Sequence, residues 1–182
     1  MSKRIRQYIG LFSALLAYYL IHEGAHLIYA LSVGAFKKIN FMGLGIQIDI
    51  YPESMSQNQL GFFCLVGSVA TLVAAYILIA LIGIISRSHS KVLKTCAYYI
   101  TLAMLLLDPL YMSVLCGFFG GGDMNGIGYL IPEVYARIMM VSYLLSMLSS
   151  SGSSYCQSTG RCSVRQVKET YKYAHDDNIR IH

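Results

Sequence analysis

Hydrophobic positions in this chain do not recur at the three- or four-residue spacing of a one-sided helix; they run in four long blocks. The first extends from about Tyr8 to Phe36, the second from about Leu60 to Ile85, the third from about Val92 to Phe119 and the fourth from about Ile127 to Leu148. Each exceeds the roughly 18 to 20 apolar residues needed to cross a hydrocarbon core. Backbone polar groups in lipid must be satisfied within helices or closed barrels, and blocks this long predict helices. One connecting segment follows a different period. In KKINFMGLGIQIDIYPESMSQNQ, residues 37–59, Ile46, Ile48 and Ile50 alternate with Gln47, Asp49 and Tyr51, the period of two of a half-buried strand. GLG and YPES punctuate it at either end. The pattern predicts an all-α polytopic membrane protein of about four transmembrane helices, with a short membrane-associated β-hairpin after the first.

Composition agrees and removes alternatives. The 182 residues are 55% hydrophobic and 13% charged, with mean hydropathy +0.53, whereas a soluble domain carries about a quarter charged residues. The opening MSKRIRQ and the apolar run behind it resemble a signal peptide, but the run is too long and a polar cluster interrupts it, so an uncleaved segment is expected. The net charge of +5 sits on termini and loops, which suits anionic lipid headgroups; no stretch reads as a nucleic-acid motif. Between the third and fourth blocks GFFGGGDMNGIG holds six glycines in twelve residues, a composition that breaks a helix and lets backbone pack closely. After Ser149 the chain turns polar, so residues 1–148 are expected to form the membrane domain and 149–182 a flexible tail. Cys64, Cys96 and Cys116 fall within apolar blocks and read as small buried hydrophobes. Cys156 and Cys162, in the tail, would pair only in an oxidising compartment.

The polar cluster in the first block is HEGAH, residues 22–26. On a helix His22 and His26, four residues apart, project from one face and can grip one metal ion, and Glu23 is placed to take a proton from water at that metal. The competing structural reading is two hydrogen-bonded histidines in a helix bundle with Glu23 paired elsewhere. Ionisable groups inside membrane helices are rare and usually functional, which favours the metal. A catalytic zinc site needs a third protein ligand. Glu133 stands four residues before Arg137 and predicts a helical ion pair instead. Two aspartates remain. Asp108, in LLLDPLY, could hydrogen-bond at a kink made by Pro109, ligate, or hold a histidine from behind. Asp123 could cap a turn or ligate.

HEGAHLIYALSVGAFKKINFMGLGIQI resembles the first core helix and following hairpin of the site-2 protease family of intramembrane zinc metalloproteases, with His22, Glu23, His26, Ala30 and Gly34 in the family's places. LVGSVATLVAA resembles the family's G-P-x-x-N stretch at Gly67, with Ser68 in place of Pro and Thr71 in place of Asn. GGGDMNGIG keeps the aspartate and glycines of the family's third-ligand motif without its Leu-Asp-Gly wording. The resemblance covers roughly residues 15–145. It implies zinc held by His22, His26 and Asp123, with Glu23 as the catalytic base. Asp108 and Asn125 are supporting neighbours or alternative ligands. It further implies a membrane protein or peptide as substrate and a multi-pass location in the cell membrane. Two other functions fit the same residues: a non-proteolytic metal-binding membrane scaffold, and a transporter subunit. Lys3, Arg4, Arg6, Arg87, Lys91 and Lys94 place both termini in the cytosol by the positive-inside rule, whereas the family orientation implies the reverse.

Overall fold

A computed structural model describes residues 1–42, 45–119 and 122–147. The chain divides into two compact units, Met1–Val141 and Ser142–His182. Of the second, residues 142–147 are described; they are helical, and the Ser146 hydroxyl donates to the Tyr143 carbonyl. The tail from residue 149, with Cys156 and Cys162, lies outside the described residues.

The first unit begins with α1, Lys3–Ser32, whose N-terminus is capped by the Ser2 hydroxyl accepting from the Ile5 N–H. Its C-terminus is closed by Gly34 at φ +69°, a left-handed conformation that a Cβ disfavours. The Ala35 N–H then returns to the Ala30 carbonyl at 2.9 Å, and the two alanines, both fully buried, complete the hydrophobic contact of a Schellman cap. This closure turns the chain straight into β1, Phe36–Met42, which pairs antiparallel with β2, Gly45–Ile50. The predicted alternation holds in outline: Ile48 is buried, Ile46 and Ile50 are half-buried and Gln47 is exposed. A cross-strand Lys38–Asp49 pair at 3.7 Å and Lys37 over the Tyr51 ring fasten the polar side.

A short turn at Pro52–Ser54 leads to α2, Gln57–Ala80, started by a capping box of Ser56 and Gln59. After α3, Ile82–Arg87, comes α4, Lys91–Leu110. Pro109 lies inside α4, and a wide turn of helix at Tyr111–Leu115 follows before α5, Cys116–Phe119. A local change of helical pitch is how a helix absorbs a missing N–H. The glycine-rich stretch becomes α6, Gly122–Ile127, and a further helix, α7, begins at 133 after Pro132.

Three described helical runs are long and apolar enough to cross a membrane: Lys3–Ser32, Gln57–Ala80 and Lys91–Phe118. The fourth apolar block is interrupted, with turns at 128–130 and helix only from 133. Most of the large apolar side chains on the three long helices point away from the protein, among them Phe12, Leu20, Val73 and Phe118. The buried interior combines methionines, Met104, Met112 and Met124, with small or polar residues, Ala14, Ala30, Ser68, Thr71 and Ala75, on the long helices. Apolar surface outside and small residues at the contacts is how membrane helices pack.

Candidate metal centre

The site forms where α1, α2, α4 and α6 meet. His22 and His26 come from one face of α1, as their spacing requires, and both are buried. Their Nε2 atoms lie 3.1 Å apart. The Asp123 Oδ2 of α6 lies 3.3 Å from the His22 Nε2 and 3.8 Å from that of His26. Three atoms so spaced sit on a circle of radius about 2.0 Å, a metal-to-ligand bond length. His22, His26 and Asp123 therefore form a group that could hold a metal ion. Burial disfavours the Asp123 carboxylate, but the two imidazoles against it outweigh that and hold its pKa below the usual carboxylate range.

Gly67 makes room for this group. A Cβ there would come within 2.5 Å of the His26 Nε2 and 2.8 Å of the His22 Nε2, filling the space that a bound ion needs. The absence of a side chain lets α2 cover the two nitrogens while leaving a cradle beside them. Gly67 is the contribution of the second apolar block to this space.

Asp108 is not part of the group. It approaches His22 from the opposite side of the ring, with Oδ1 3.2 Å from Nδ1. The carboxylate is fully buried and is held by two hydroxyls: Tyr18 donates to Oδ1 at 2.6 Å, and Thr71 donates a short hydrogen bond to Oδ2. The Tyr18 ring also stacks on His22, centroids 5.3 Å apart. A carboxylate behind a ligating imidazole fixes which nitrogen carries the proton and how the ring is turned. Of the two aspartates left open by the sequence, the structure sets Asp123 at the Nε2 atoms and Asp108 at Nδ1. Asn125 is exposed on α6 and does not line the cavity at this group.

Glu23 is half-buried beside the triad, and its Oε2 accepts the backbone N–H of Ile48 at 3.2 Å. That N–H points away from β1, so the outer edge of β2 faces α1 across the site. A cavity of about 690 Å³ opens there, lined by His22, Glu23, His26, Asp108, Asp123 and residues 45–48 of β2. Glu133, by contrast, pairs with Arg137 at 2.6 Å on the surface, as predicted. Two contributors were not singled out as site residues from the sequence: Tyr18 and the Ile48 N–H. Tyr18 stands four residues before His22, so a helical wheel could have found it. The N–H is a backbone group that no side-chain pattern marks.

Comparison with models of protein families, with curated proteins and with solved structures gives no match.

Proposed function

We propose that the chain is an intramembrane zinc metalloprotease, hydrolysing peptide bonds of membrane-associated or transmembrane substrates. The observation that carries this reading is the conjunction of the His22–His26–Asp123 triad with Glu23 and the outer edge of β2 in one cavity. Two imidazoles and one carboxylate are a donor set suited to zinc, which when bound supplies a Lewis acid for a carbonyl and lowers the pKa of water to about 7. The residues of the chain do the rest. Glu23 takes a proton from the attacking water and returns it to the departing amine nitrogen as the C–N bond breaks. Asp108, held by Tyr18 and Thr71, keeps the His22 ring turned so that Nε2 faces the cradle. The outer edge of β2 holds the substrate as an added strand, which keeps its scissile carbonyl extended rather than helical. A fourth crossing, drawn from the apolar block 127–148, belongs to the same reading.

Replacing Glu23 by Gln tests this. The variant should fold and keep its zinc content while cleavage falls about 10²- to 10⁴-fold, the usual worth of a positioned general base. A metal-binding scaffold or transporter subunit has no turnover for this change to remove. Wild-type cleavage rates from purified Glu23→Gln would end the protease reading.

A further inference from the structure

The N-terminal end of α1 carries a second constellation, about 25 Å along the helix from His22 at the usual rise per residue. Here α1 and α4 touch closely: a Cβ on Gly10 would meet the Tyr99 ring at 2.6 Å and the Thr95 methyl at 3.0 Å. Next to that contact the two helices line an open hollow of about 290 Å³. Its walls carry Lys3 and Arg6 from α1 and Lys94 from α4, and no acidic side chain lines it. Three cations gathered from two helices around one hollow repel one another, a cost that an anion seated among them relieves.

A second hollow of about 300 Å³ adjoins the first and shares Lys94 and Tyr98 with it. It lies between α2, α3 and α4, and its remaining walls are largely apolar, including Leu78, Ile82, Ile85 and Leu105. A cationic hollow sharing a wall with an apolar one matches a single amphiphile laid across both. We propose that the pair binds one anionic phospholipid, its phosphate among Lys3, Arg6 and Lys94 and an acyl chain along the apolar hollow. A free phosphate would satisfy the cations but leave the adjoining hollow unfilled. A zwitterionic lipid would bring its own positive charge to a pocket that already holds three. Basic residues flanking a span attract anionic lipid in general; convergence on one hollow that shares Lys94 and Tyr98 with an apolar one makes this a defined site. The proposal needs the chain to lie in a bilayer but not to be a protease.

The full-length protein, purified in a non-ionic detergent, is titrated with phosphatidylglycerol and with phosphatidylcholine of the same chain length, and bound lipid is counted by native mass spectrometry. One copy of phosphatidylglycerol should bind at least about tenfold more tightly than phosphatidylcholine. Lys94→Gln should cut that preference about fivefold, the usual worth of one cation at a lipid surface. Lys91→Gln, on the same helix but outside both hollows, should leave it unchanged. Ala97→Trp, which places an indole in the apolar hollow, should weaken both lipids alike. Equal affinity for the two lipids overturns the proposal, as does equal sensitivity to Lys91→Gln and Lys94→Gln. Displacement of phosphatidylglycerol by millimolar inorganic phosphate would assign the pocket to phosphate and likewise overturn it. None of these readouts involves metal or turnover, so they succeed or fail independently of the protease reading.

Discussion

Asp108 and Asp123 are chemically identical side chains that the fold sets to different work on the same imidazole. Asp123 meets His22 at Nε2, where a metal would sit, and Asp108 meets it at Nδ1, where only orientation and basicity are at stake. Losing a ligand and losing its support should therefore differ in degree. Asp123→Ala should abolish measurable metal binding, while Asp108→Asn should weaken it about 10- to 100-fold, the usual effect of removing a partner behind a ligating histidine. Competition with a chromophoric chelator in detergent measures both. Equal losses would mean that the two carboxylates share one role. Asp108→Asn is preferable to Asp108→Ala because Asn can still accept from Tyr18 or Thr71, so fewer buried donors are orphaned. The residue scale also shows what a sequence can and cannot disclose. His22, Glu23 and His26 were legible because their geometry is local, set by four residues of helix. The Asp108 contacts with Thr71 and Tyr18 span 37 and 90 residues, and only the packed bundle brings them together.

Among the elements, the hairpin could be read from its alternation and α1 from its apolar length, because each pattern reports a local period. α6 was harder. Six residues of Gly-Asp-Met-Asn-Gly-Ile have no periodicity, and glycine disfavours helix by about 1 kcal/mol each. What holds α6 is tertiary contact with α2: Gly126 sits so close to Cys64 that a Cβ would overlap its sulfur, and Gly61 meets Leu130 in the same way. The glycine-rich junction is thus a docking surface that carries Asp123 to the histidines, three residues from the contact that fixes it. Gly126→Ala should lift α6 from α2 and lower metal affinity at least about tenfold, although Ala is the better helix former. Adding Cys64→Ala removes the overlapping sulfur and should recover part of the loss, a coupling that a double-mutant cycle reads directly. If Gly126→Ala leaves metal affinity intact, Asp123 is positioned by something other than this contact. The fourth block departs from its expected helix for a related reason. Gly128 and Pro132 break it, and α7 starts only after the proline, whose carbonyl accepts from the Tyr135 N–H.

For the whole molecule, the apolar exterior and the three long helices set an alternation that can be tested without knowing any substrate. If α1, α2 and α4 each cross the bilayer, the N-terminus and the loop between α3 and α4 share one face, and the turn before α2 lies on the other. A single cysteine at Ser2, Glu53 or Ser88, in a background where Cys64, Cys96, Cys116, Cys156 and Cys162 are replaced by Ala, reports each position to a membrane-impermeant thiol reagent. Ser2→Cys and Ser88→Cys should label together, and Glu53→Cys only under the opposite condition, intact cells against lysed. The same experiment assigns the faces. Labelling of Ser88→Cys only after lysis fits the six cations at that end, the side the positive-inside rule keeps in the cytosol. Labelling of Ser88→Cys in intact cells puts the hairpin and its two lysines inside, the orientation the family resemblance implies. In that case Lys37 and Lys38 would carry the positive face, although they are already engaged with Tyr51 and Asp49. Either assignment leaves the metal group, the β2 edge and the cavity on one side of the bundle. Co-labelling of Ser2→Cys with Glu53→Cys would break the alternation itself and with it the placement of α1 as a full crossing. The histidines would then lie on a re-entrant or surface helix, and the burial of His22 and Asp108 would have to be explained by protein contacts alone.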